Sequence, residues 1–174
     1  MLRGIADHDA EAIFEMESDP VAMRYWSRPP MQEMSEAIAS RERARTFFPE
    51  RTALRWSVTR PADDRALGQV SLFGFVEPSD RAEIGYGLAR RHWGQGYMHE
   101  ALVAVVDYAF GPLALRRIEA DADPRNTASV RAVEKLGFRL EGTLRERWKV
   151  GEEVSDTALF GLLAHEWKAR RNSE

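Results

Sequence analysis

Between residues 81 and 138 the hydrophobic period of the chain switches repeatedly, and this switching restricts the fold more than any other feature. In "RAEIGYGLA", Ile84, Tyr86 and Leu88 fall on one face and Glu83, Gly85 and Gly87 on the other, the alternation of a strand. Met98, Ala101, Leu102, Val105 and Ala109 then recur at helical spacing until Gly111-Pro112 stops the run. "LRRIEADA" reads as a strand. "NTASVRAVEKLGF" reads as a helix capped by Asn126, with Val130, Val133 and Leu136 facing inward and Gly137 as its stop. Two strands, "FRLEGTLRERWKV" and "VSDTALFGLL", flank a Gly-Glu-Glu turn and lead into a short terminal helix. This succession predicts an α/β layer with at least one parallel strand pair, since parallel neighbours need a crossover between them.

The first half reads differently. Asp7 or Asp9 is placed to cap a helix carrying Ala10, Ile13 and Phe14, and a second short helix is expected after Asp19-Pro20, ending at Pro29-Pro30. A further helix is predicted from Met31 to about Phe48, with Met34, Ala37 and Ile38 on one side and the charged "SRERAR" on the other. Leu54, Trp56 and Val58 alternate with Arg55, Ser57 and Thr59, and after the turn "RPADDR" the run "ALGQVSLFGFVE" supplies an antiparallel partner. No repeat or linker interrupts the 174 residues, so one domain over 1–174 is expected.

Composition removes several chemistries. There is no cysteine, which excludes thiolate nucleophiles, acyl-cysteine intermediates and cysteine-bound zinc. A net charge of -3 lacks the positive field that nucleic acids or anionic membranes select. The amino terminus carries no long apolar core behind basic residues, and no run is long enough to span a bilayer; a cytoplasmic protein is expected. His92 and His99 are too far apart for a two-ligand helical turn, so no metal is expected. "GQVSLFG" lacks the G-x-S-x-G elbow of serine hydrolases.

The stretch joining the alternating strand to its helix, "RRHWGQGYM", holds two glycines beside large aromatics. A helix start presents unpaired N–H groups and partial positive charge, and Gly94 and Gly96 would let an anion approach them. His99 stands where a dinucleotide fingerprint needs its third glycine, and no Gly-Lys-Ser/Thr follows as in a nucleotide-triphosphate loop.

In register and context, Arg91-His92-Trp93-Gly94-Gln95-Gly96 resembles the pyrophosphate loop Q/R-x-x-G-x-G/A of the Gcn5-related N-acetyltransferases (GNAT). "EIGYGL" before it and "NTASVRAVEKLGF" after it resemble the branch containing the ribosomal-protein alanine/serine N-terminal acetyltransferases. The resemblance runs from about Leu2 to Trp167, with a first strand shorter than expected. It implies a mixed α/β (α+β) fold: a mostly antiparallel central sheet, a splayed parallel pair and helices on both faces. It also implies acetyl-coenzyme A as co-substrate. The cofactor would lie against Gly85, Tyr86, Gly87 and Leu88 on the strand, Arg91, Gly94, Gln95, Gly96, Tyr97 and Met98 at the loop, and Asn126 and Ser129 on the next helix. A backbone N–H near Leu88 would polarise the thioester carbonyl.

For catalysis, the attacking amine must lose a proton, and Glu83, beside Gly85 and Gly87 in a partly desolvated cleft, is the candidate base; a solvated glutamate at a strand edge is the plainer reading. Family members often place a tyrosine early in the second cofactor helix. None occurs there in this chain, and the resemblance puts Ser129 of Asn126-x-x-Ser129 forward as general acid. Both residues also suit an ordinary helix start. The acceptor side would draw on Tyr25, Trp26, Arg28, Trp148 and the pair Glu152, Glu153, with Arg145 and Arg147 as further cations. A protein α-amino group is the leading acceptor; a small amine or a non-catalytic acyl-coenzyme A-binding module is the alternative. A homodimer accords with the resemblance.

Overall fold

The computed structural model describes residues 1–62 and 64–173. Along the chain run β1 (Leu2–Gly4), α1 (Ala10–Ser18), α2 (Met34–Phe47), β2 (Ala53–Thr59), β3 (Ala66–Val76), β4 (Arg81–Leu88), α3 (Tyr97–Phe110), β5 (Arg117–Ala122), α4 (Thr127–Leu136), β6 (Arg139–Val150), β7 (Glu153–Leu163) and α5 (Ala164–Arg171). The strands form one sheet in the order β1-β2-β3-β4-β5-β7-β6. Its first four strands are an antiparallel meander, and β4 pairs with β5 in parallel, as the period switching requires.

Helices cover both faces. Leu102, Val105 and Val106 of α3, Val133 and Leu136 of α4 and Trp167 of α5 pack on Val58, Val70, Leu72, Ile84, Ile118 and Phe160 of the sheet. Burying such apolar side chains contributes about 1.5–3 kcal/mol each, which makes this layer the main source of stability. The opposite face is thinner: Ile13 of α1 and Ala37 of α2 cluster with Met31. Alternation therefore turns Arg55, Gln69, Ser71, Glu83, Gly85, Gly87 and Asp121 towards the α1/α2 side. Gly87 shows how closely that layer approaches, because a Cβ there would lie 2.8 Å from the Trp26 ring and 2.9 Å from the Met16 sulfur.

Three expectations in the first half need correction. Asp9 sits at the N-cap of α1 but its side chain does not cap that helix. It is buried and binds Arg3 at 2.7 and 2.8 Å, the Ala6 N–H at 2.9 Å and the Ser57 hydroxyl at 2.7 Å. After Asp19-Pro20 the chain makes turns rather than a helix, with Met23 N–H donating to Asp19 and Trp26 N–H to Met23. A residue before proline is disfavoured in the helical region, so Pro29 leaves too few residues to repay nucleation. And α2 begins at Met34, because the Glu36 carboxylate accepts the N–H groups of Gln32 and Glu33 and fixes the start there. Among the described residues, no helix is long and apolar enough to cross a membrane.

Candidate active site

The parallel pairing of β4 with β5 covers Arg81, Ala82 and Glu83 against Arg117, Ile118 and Glu119, and then stops. β4 runs on to Leu88 and β5 to Ala122, so from Ile84 onward the two strands diverge and the β5-facing edge of β4 has no ladder partner among the described residues. Unpaired strand backbone is a template for an extended ligand. A cavity of about 530 Å³ opens at this splay, with Ile84, Gly85, Tyr86, Asp121, Asn126 and Ser129 in its wall.

The glycine loop sits at the far end of the same edge. Gly94 (φ +72°) and Gly96 (φ +85°) adopt left-handed conformations, and a Cβ at either would meet nothing within 4 Å, so open space lies before the α3 N-terminus. No side chain caps that end. The Trp93 indole donates to the Leu88 carbonyl at 2.7 Å and the Gln95 amide to the Arg91 carbonyl at 2.9 Å, which folds the loop against the strand. These residues fit a diphosphate. Arg91 does not stand free beside it: its guanidinium pairs with Glu15 at 2.8 Å and donates to His92 at 2.9 Å. Burial and the Arg91 charge lower the pKa of His92, keeping that ring an acceptor.

On α4, Asn126 caps the helix by accepting the Ser129 N–H at 3.1 Å, so the cap uses Ser129 only through its backbone. The Ser129 hydroxyl lies 2.9 Å from the Tyr86 phenol, which also donates to the Ser129 carbonyl at 3.2 Å. A hydrogen-bonded bridge thus spans the splay. Burial raises the pKa of Tyr86, keeping it a donor. Sequence reading placed Tyr86 on the strand without giving its hydroxyl a partner; a tyrosine on a buried face implies one.

Glu83 occupies the last paired position before the divergence. Its carboxyl is raised to about 7, first by burial, then by the negative charges of Asp121 and Glu119, with Arg147 and Arg81 opposing. Glu119 is bonded to Arg81 and Arg117, whereas the Glu83 carboxyl has no hydrogen bond or ion pair among the described residues. Burial also raises Asp121.

Of the expected acceptor residues, Tyr25, Trp26, Arg28 and Trp148 line the cavity. The acidic pair does not. Glu153 is held by Arg24 and Arg125, and Glu152 is fully exposed, reaching only Lys149 at 3.9 Å; an outward turn carries both away from the splay. Arg147 stacks over Trp148 at 5.6 Å. Among the cavity residues that escaped sequence reading are four with strongly polar side chains, Glu17, Arg55, Gln69 and Asp121. Their one signal was polarity at positions facing a packed layer. Glu17 is fully buried, pairs with Arg28 at 2.6 Å and accepts from Gln69 at 2.6 Å.

Residues 1–139 match the family model described as an acetyltransferase (GNAT) domain. The chain is 34% identical to the N-acetyltransferase p20 of Bacillus licheniformis over 95% of its own length and 93% of the relative's. It is 32% identical to the N-acetyltransferase YoaA of Bacillus subtilis, over 94% and 92%. Its fold matches that of a spermidine N-acetyltransferase from Vibrio cholerae, solved with coenzyme A and spermine, at a TM-score of 0.84, 23% identity and 97% of both chains. Sequence, sheet topology and splayed site agree: the chain belongs to the GNAT family of acetyl-coenzyme A-dependent N-acetyltransferases.

Proposed function

We propose that this enzyme acetylates a primary α-amino group, such as a peptide amino terminus, with Glu83 taking the proton of the attacking amine. Acetyl-coenzyme A supplies the acetyl group as an activated thioester. The loop from Gly94 to Met98 holds its diphosphate through backbone N–H groups, and the free edge of β4 beyond Glu83 orients the arm. Ser129, hydrogen-bonded to Tyr86, faces the departing thiolate and supplies a proton from the α4 side. The amine arrives from the α1/α2 side, where Glu83 and Asp121 stand.

The position of Glu83 carries this reading. A carboxylate raised to about 7 is well matched to an α-ammonium of pKa about 7.7–8.0, from which proton transfer is uphill by about one pH unit. An alkyl ammonium near 10.4 raises that to more than three, each unit being about 1.4 kcal/mol. Spermidine acetylation, the activity named for the Vibrio cholerae neighbour, is the second reading, favoured by the carboxylate of Asp121 in the cavity wall.

A free-thiol release assay over peptide amino termini, amino acids and polyamines separates the two. Release with α-amino acceptors is expected, with kcat/KM rising through pH 7 as Glu83 loses its proton. Glu83→Gln should lose that limb and about 10²–10⁴ of kcat. Release with polyamines alone would overturn the proposal.

A further inference from the structure

Four residues form a row across the α1/α2 side of the sheet. Arg55 on β2 pairs in register with Ser71 on β3, and Ser71 with Gly85 on β4. On β5, Asp121 lies two residues past Glu119 as Gly85 lies two past its partner Glu83. All four line the cavity, and Gly85, having no side chain, makes room for the Phe73 ring, which would stand 3.0 Å from a Cβ there and so forms the apolar wall of the row.

The arginine in this row differs from three other cations near the cavity, each of which has a carboxylate of its own. Arg28 is paired with Glu17, Arg24 with Glu153, and Arg125 with Asp123 and Glu153. Among the described residues, Arg55 bonds only to neutral groups: its Nε donates to the Ser71 hydroxyl at 3.2 Å, its Nη1 to the Ser40 hydroxyl at 3.5 Å, and it stands over the Phe47 ring at 5.1 Å. The carboxylate it senses, Glu17, is already bonded to Arg28 and Gln69. Burial lowers the pKa of Arg55, as do the charges of Arg28 and Arg43. A second group in the same wall is also incomplete, since the buried Oε1 of Gln69 has no hydrogen-bond partner among the described residues. A largely buried guanidinium without a counter-ion is costly in a protein unless a ligand completes it, and its fork geometry matches a carboxylate.

We infer that Arg55 binds a carboxylate of the acceptor, so that the preferred substrate is an amine bearing an acidic group a few bonds away. Because the guanidinium leans onto Ser71, it stands about one strand spacing, roughly 5 Å, from the β4 backbone at Gly85, where the amine is delivered. That separation suits the α-carboxylate of a free amino acid or the side chain of an amino-terminal Asp. A long polyamine has nothing to offer Arg55. The inference rests on the proposed entry of the acceptor through this cavity.

The test is titration calorimetry of the coenzyme A-saturated enzyme with two matched pairs: leucine against leucinamide, and Asp-Ala-amide against Asn-Ala-amide. The acidic member of one pair should bind about 10–100-fold more tightly, and the identity of that pair tells whether the carboxylate is the main-chain or the side-chain one. Arg55→Met should erase the difference while retaining coenzyme A binding, and Arg55→Lys should restore part of it. Competitive inhibition of wild-type thiol release by the acetylated acid, but not the acetylated amide, gives the same answer without a variant. Equal affinity within both pairs, or no binding of any member, overturns the inference. Thiol release from α-amino acceptors without preference for the acid sinks the role of Arg55 alone; release with spermidine alone sinks the proposed function.

Discussion

Glu83 is placed where function and stability oppose each other. In the unfolded chain its carboxyl titrates near the ordinary 4.5, and in the folded protein near 7. Between those values the folded state holds the extra proton, so stability falls as pH rises from about 4.5 to 7, and the full cost is present above 7. Solvent screening at a half-buried site reduces that cost to about 1 kcal/mol. Glu83→Gln should therefore raise the urea midpoint at pH 8, leave it almost unchanged at pH 4, and abolish the pH-dependent limb of turnover. Equal midpoint shifts at both pH values would mean that Glu83 titrates normally. Ser129→Ala belongs to the same scale. It removes the hydroxyl partner of Tyr86 but leaves the Asn126 cap, which uses only the Ser129 N–H. Turnover should drop by at least tenfold with coenzyme A affinity within about twofold, and unchanged turnover removes Ser129 from the mechanism. Tyr86 and Ser129 were each visible in the sequence, but not their contact, because they lie 43 positions apart and meet only through the sheet.

The elements that frame the site were legible where local chemistry decides them. Gly96 and Gly137 bracket helices at φ +85° and +95°, and Asn126 caps α4, all short-range devices written in three or four residues. Elements that depend on distant partners were not. Asp9 reads as a cap but is claimed by Arg3 and Ser57, and the segment after Pro20 reads as helical but is laid over β4, where Trp26 meets Gly87. The α3 start gives a direct test. Gly96→Ala places a side chain in open space but at a positive φ, costing about 1–2 kcal/mol, so the protein should fold with a Tm a few degrees lower. Coenzyme A affinity should fall by about tenfold as the first-turn N–H groups tilt. Affinity equal to wild type would place the diphosphate elsewhere.

Across the whole molecule, the thin α1/α2 layer is fastened to the sheet by polar groups as much as by apolar ones. Arg3 of β1, Asp9 before α1 and Ser57 of β2 form one buried network. Burial alone would raise the Asp9 carboxyl, but Arg3, the Ala6 N–H and Ser57 hold it below its ordinary value. A depressed carboxylate stabilises the fold above its unfolded pKa and loses that contribution as pH falls through the folded one. Arg3→Met should cost about 3 kcal/mol at pH 7 by stranding the Asp9 charge, and less in acid, where the stranded carboxylate of the variant can take up a proton; denaturant titrations at neutral and acid pH measure the difference. By itself the sequence determined the order of strands and helices from residue 53 onward, the presence of a parallel pair, the glycine-opened helix start and the carboxylate at Glu83, since period, caps and turns act over neighbouring residues. Only the tertiary structure decided where β4 and β5 part, which charges are already paired, and that Arg55, Gly85 and Asp121 share one row, because these depend on strand register and on burial, which join residues far apart in the chain.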